Sequence, residues 1–225
     1  MRIMIVGIAL GMLLLRGGAQ QSRVNVTFSA ESQRFDEATQ QYQAIWAADG
    51  ERIVATMERI SGLKFSDGEI QAVVFEGVSN SGSADSPMKL RASYPVDVKK
   101  ATLVHELGHR IAFELRFYFG TQKELDSHRV LYLYLYETWT SLYGQNFADQ
   151  QVAVEKGLTA PPAPRLLRSY DYKSAWDWAL RLNATERAAK LREVIRKNEE
   201  ARRVILRGSA PGWHQMQSAL QWRVS

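Results

Sequence analysis

The sequence predicts an α+β fold, mainly helical with a short sheet. Apolar residues recur at helical spacing through most of the chain beyond residue 28, and two short runs rich in β-branched and aromatic residues interrupt them at 69–77 and 88–94. With 225 residues, 45% hydrophobic and 24% charged, the chain has the length and composition of one globular domain with a sizeable core.

The N-terminal stretch MRIMIVGIALGMLLLRGGAQQS stands outside that core. Arg2 precedes an apolar run from Ile3 to Leu15, and small residues follow. A secretory signal peptide over 1–19 is therefore expected, cut after Ala19 with Gly17 two positions upstream. Thirteen apolar residues fall short of the roughly 20 that span a bilayer. The next stretch, SAESQRFDEATQQYQAIWAADGERIVATMERISG, reads as one long or broken helix with a glycine stop. EIQAVVFEG (69–77) reads as a strand, SNSGSADSP as a loop, and MKLRASY (88–94) as a second strand at an edge. Pro95 opens the approach to another helix.

That helix contains ATLVHELGHRIAFEL, residues 101–115. At about 3.6 residues per turn, His105 and His109 lie one above the other and can reach a single ion at roughly 2.0–2.1 Å. Glu106 is rotated away from them by about 100°, too far to be a third ligand but close enough to hold a metal-bound water as general base. Gly108 costs a helix roughly 1 kcal/mol against alanine, which predicts close packing there. A second helix from about Leu125 to Tyr143 stops at Gly144. Its VLYLYLYETW alternates like a strand, but His128, Leu131, Tyr132, Leu135, Trp139 and Leu142 form a helical stripe, so a central buried helix is expected. FADQQVAVEKG continues as helix, LTAPPAPR (158–165) reads as a linker, and two helices follow, with Asn183 or Thr185 capping the run Ala184 to Leu206. His214 lies in the tail, far from the motif.

At HELGH the sequence resembles the zincin metallopeptidases, whose shared signature is H-E-x-x-H. The resemblance implies a zincin-like domain with a zinc site on this helix and a peptide or protein substrate. It also implies that an edge strand beside the active helix, here 88–94, pairs with an extended peptide. The metzincin extension needs glycine at 112 and histidine at 115; Ala112 and Leu115 stand there, which excludes that class. Gluzincins take a glutamate commonly 18 or 19 residues beyond the second histidine, and after 18 intervening residues this chain has His128. The spacing is gluzincin-like and the ligand type is not. Zn²⁺ on His105, His109 and His128, with the fourth position left to water, is the expected site. Glu124, Asp126 and Glu137 are its rivals for the third place, and Glu124 could instead orient His128. Tyr132, Tyr134 and Tyr136 are read as core, any one of them able to donate to an oxyanion. Residues 102–144 also look like an uncharacterised group of exported bacterial proteins with HELGHR and a Tyr-rich helix ending LYG, a resemblance that implies the same metal site.

The expected organisation is a signal peptide (1–19), a zincin-like metal-binding domain (20–157) and a C-terminal helical region (158–225) packed on the same domain. The chain has no cysteine, which excludes disulfides and thiolate-bound metals. The net charge of +5 is concentrated between 165 and 207, where 12 Lys and Arg face 6 Asp and Glu. Both signs interleave there at helical spacing, as on a solvated helix, and no nucleic-acid motif accompanies them, so no nucleic-acid partner is expected. The expected location is the bacterial periplasm or exterior, with no membrane span once the signal is removed. The expected activity is zinc-dependent hydrolysis of an amide bond with Glu106 as base. The alternative is a non-catalytic, metal-stabilised binding or scaffold protein of the cell envelope.

Overall fold

The computed structural model describes residues 24–66, 68–83, 86–115, 125–158 and 170–206. The first element is a strand, β1 (Val24–Ala30), which the sequence reading leaves unassigned apart from giving its last two residues to the following helix. Val24 and Val26 are buried while Asn25 and Thr27 are exposed, the alternation of a half-buried strand. Helix α1 (Asp36–Ser61) begins with Asp36 and Glu37 complementing its dipole and buries Tyr42, Ile45, Ile53 and Met57. It stops at Gly62, whose φ of +73° suits glycine and whose N–H bonds the Glu58 carbonyl at 2.9 Å.

Strand β2 (Gly68–Phe75) pairs parallel with β1 from Val24 opposite Gly68 to Ala30 opposite Val74, with α1 as the crossover that a parallel pair requires. Strand β3 (Met88–Arg91) pairs parallel with β2 from Ala72 opposite Met88 to Phe75 opposite Arg91. The strand order is β1-β2-β3. Strand β3 is shorter than the expected 88–94, because residues 92–94 turn toward Pro95.

The expectation that this edge receives a peptide is corrected. Lys89 exchanges two backbone bonds with Asn80, at 2.8 and 3.0 Å, and the Arg91 N–H bonds the Ser79 hydroxyl at 3.0 Å. The β2–β3 connection therefore occupies the outer edge of its own strand. Arg110 clasps that connection from below, donating to the carbonyls of Ser81 (2.5 Å), Ser83 (2.6 Å) and Ser86 (2.9 Å).

The helices that follow are α2 (Val96–Ile111), α3 (Ser127–Tyr143), α4 (Gln145–Lys156), α5 (Tyr172–Leu180) and α6 (Ala184–Leu206). Helices α1 and α2 pack on the sheet, and α1, α2, α4, α5 and α6 all pack on α3. Surrounded in this way, α3 buries the six consecutive residues Val130 to Leu135, which is why its alternating apolar pattern belongs to a helix. The close packing expected at Gly108 is its crossing with α3. A Cβ on Gly108 would stand 2.3 Å from Leu131 Cδ1, and the Tyr134 hydroxyl donates to the Gly108 carbonyl at 2.7 Å. Asn183 and Glu186 cap α6 reciprocally, at 2.8 and 3.0 Å. Trp176 of α5 and Leu191 and Val194 of α6 join the same core. The architecture is α+β and mainly helical. No described helix is long and apolar enough to cross a membrane.

Candidate metal centre

The centre is built where α2 meets the first turn of α3. His105 and His109 occupy successive turns of α2, and their Nε2 atoms stand 3.1 Å apart. His128, second residue of α3, reaches them across the helix crossing, with ring centroids 5.4 Å from His105 and 4.7 Å from His109. Each of the three offers a ring nitrogen, and these atoms all lie within 4.8 Å of one another. Nitrogens bonded to one zinc at about 2.0–2.1 Å in a tetrahedron stand ~3.3 Å apart, so the donor set fits a single ion after small side-chain adjustments.

The residue that sequence reasoning missed is Glu155 of α4. Its Oε1 lies 2.6 Å from His105 Nδ1, and its Oε2 accepts from Trp176 Nε1 at 2.8 Å. A carboxylate on Nδ1 fixes the imidazole tautomer and leaves Nε2 free to bind a metal. Ala148, Gln151, Val152 and Glu155 are the buried residues of α4 and stand at helical spacing. A carboxylate on the core stripe of an amphipathic helix is the signal that could have found it.

The electrostatics follow from burial and from this pair. Burial alone would lower the pKa of His105, but Glu155 overcomes it and holds the ring up at about 9. Burial presses His109 and His128 well below the ordinary histidine value, with neighbouring imidazoles adding to the effect, so both are neutral donors at pH 7. Glu106 is 5% exposed. Burial pushes its carboxyl up to about 7, Glu155 adds to the rise, and His105 and Arg110 oppose it.

An aromatic wall covers His128. Tyr170 lies at 4.4 Å and Tyr172 at 5.0 Å between ring centroids, and Tyr132 at 5.9 Å stacks in turn on Trp176 at 3.8 Å. Burial, with Glu106, Glu155 and Tyr94 nearby, pushes Tyr172 up to about 12. The Tyr132 hydroxyl is buried beside Glu155. Tyr134 is committed to the Gly108 carbonyl, and Tyr136 to Asp149 at 2.7 Å. Neither is free to serve an oxyanion.

Two of the rival ligands, Asp126 and Glu137, have other partners. Asp126 caps α3, accepting from the Arg129 N–H at 2.9 Å and from the Tyr170 hydroxyl at 2.7 Å. Glu137 pairs with Arg187 of α6. Glu124 lies outside the described residues, as do the expected signal peptide, most of the 158–165 linker and His214. No family model matches the chain, and no curated protein or solved structure matches it.

Proposed function

We propose that this chain is a zinc-dependent hydrolase of amide bonds, acting on a peptide or protein. The observation that carries the reading is the convergence of a third imidazole, His128, on the His105–His109 pair of HELGH, with Glu106 buried on the same turn. His105, His109 and His128 would hold the ion. Bound zinc would supply Lewis acidity toward a carbonyl and a lowered pKa for water. Glu106 accepts a proton from the attacking water and delivers it to the leaving nitrogen. Glu155 holds His105 in the tautomer that presents Nε2, and Trp176 holds Glu155. Tyr172, half-buried against His128, is the described tyrosine best suited to donate to the oxyanion.

A zincin-like fold belongs to the same proposal, supported by the order of small sheet, HELGH helix and ligand-bearing helix. Export belongs to it too, on the sequence of residues 1–19 alone. The scaffold alternative is favoured by a closed shell with a fourth protein ligand. Asp126, one of the two residues that could supply it, is spent capping α3.

The test is zinc content by elemental mass spectrometry for wild type, His105→Ala and His128→Ala, with turnover measured for Glu106→Gln. About one zinc in wild type and its loss in both histidine variants is the expected result. Glu106→Gln is expected to keep its metal and lose roughly 10²–10⁴-fold in turnover. Full activity in that variant would remove Glu106 from the role of base.

A further inference from the structure

The imidazoles of the centre are not held alike. His105 is fixed through a hydrogen bond to Glu155, whereas the contacts that bear on His128 are rings. That difference matters for a ligand. An imidazole has no sharply preferred rotation about its Cβ–Cγ bond, so its neighbours must set the direction in which its nitrogens point.

Tyr170 lies against His128 in an inclined stack, with 4.4 Å between ring centroids and 31° between planes. Tyr172 meets the same imidazole edge-on, at 5.0 Å and 84°. Turning His128 about its Cβ–Cγ bond would carry it into one ring or the other. Tyr170 is itself anchored. Its hydroxyl donates to Asp126 Oδ1 at 2.7 Å, the oxygen that also accepts from the Arg129 N–H at 2.9 Å. Asp126 is the cap residue of α3 and precedes His128 by two positions. One carboxylate therefore fixes both the start of the helix that carries the ligand and the ring that lies on it. Between the two tyrosines, Asp171 caps α5 by accepting from the Ser174 N–H at 2.9 Å, which ties the backbone that carries both rings to that helix.

We propose that Tyr170, latched to Asp126, is a positioning residue that sets the His128 imidazole for a metal ion. Its bearing on a metal rests on the zinc reading given above; its contact with His128 does not. Asp126 then serves the site without being a ligand. Helix α5 and the residues just before it supply two holders, Trp176 for Glu155 and Tyr170 for His128. The centre thus depends on the chain beyond 158–165 as much as on HELGH.

The contact can be tested without zinc. Metal-free wild type and Tyr170→Ala are treated with diethyl pyrocarbonate at pH 7, and the modified histidines are located by peptide mass spectrometry. His128 is expected to react roughly tenfold faster in the variant, the weight of one aromatic contact and one hydrogen bond. His105, held by Glu155, keeps its wild-type rate. Equal acceleration of both histidines would mean that the fold has only loosened, and would overturn the proposal, as would no change at all. In chelator competition Tyr170→Ala is expected to bind zinc roughly 10–100-fold more weakly than wild type. Its cobalt form should lose intensity in the visible band of a four-coordinate ion as water takes the place of a misdirected imidazole. Tyr170→Leu, which keeps bulk but loses the flat ring and the hydroxyl, repeats each measurement should Tyr170→Ala fail to fold. Wild type that binds no metal, with His128 selectively exposed in the variant, would sink the zinc reading and leave the contact standing. Zinc bound equally tightly by wild type and a folded variant would do the reverse.

Discussion

The sheet and the α2–α3 crossing bury their side chains in opposite ways. In the sheet Val24, Val26, Ala72, Val74, Met88 and Leu90 turn inward, while Thr27, Glu69 and Gln71 turn to solvent. Parallel sheets are usually covered on both faces, and this one leaves polar side chains of one face in water. At the crossing, His105, Glu106 and Glu155 are each less than a tenth exposed, and His105 and Glu155 satisfy each other. One region draws its stability from apolar side chains on the inward face of its strands. The other holds imidazoles and carboxylates at a cost that a bound cation would offset. Stability and chemistry are therefore separable between the two.

The largest effect expected from that division is in the sheet. Leu90→Ala removes a fully buried side chain among apolar neighbours and should cost about 2–5 kcal/mol in urea unfolding. Its zinc stoichiometry in the folded fraction should stay that of wild type; loss of metal there would show that the two regions are not separable. Next comes Glu155→Gln, which should weaken zinc binding roughly 10–100-fold in a chelator competition. The metal-free protein should lose less stability than Leu90→Ala does. Unchanged affinity would mean that Glu155 does not orient His105.

The smallest effect is a pH dependence of the metal-free protein. Below pH 6.5 the unfolded chain protonates at the positions of His109 and His128 while the fold resists, so stability falls as pH drops. Glu106, raised from 4.5 to about 7, acts with the opposite sign, one group against two. Above 6.5 the folded His105, held up at about 9, keeps a proton that the unfolded chain has lost, so stability falls again as pH rises. Urea midpoints should peak near pH 6.5, and a monotonic rise into the alkaline range would contradict the His105–Glu155 pairing.

Much of the fold was legible because local patterns agreed with tertiary burial. The Gly62 stop, the runs that became β2 and β3, and the Asn183 cap all follow from nearby residues. The spacing from HELGH to His128 was legible too, since α2 and α3 supply all three imidazoles. What escaped depends on partners distant in the chain. Residues 24–30 alternate for only a few positions, and pairing with β2, on the far side of α1, is what makes them a strand. Glu155 meets His105 across 50 positions, with no motif to tie them. The closed outer edge of β3 was hidden because Asn80 and Ser79 belong to a polar loop whose return path is set by Arg110.

The bridge from His105 through Glu155 to Trp176 also bears on the order of events during folding. Its three members come from α2, α4 and α5, so no segment shorter than about a third of the chain contains them. Contacts of such separation form late, after the loop-closure entropy between them has been overcome. A nascent chain that has made only HELGH and α3 holds three imidazoles without the carboxylate that fixes the first of them. On the proposed zinc reading, tight ion capture would be a final event of assembly, and the rate at which the refolding protein withdraws zinc from a coloured chelator would time the docking of α4 and α5 onto the rest.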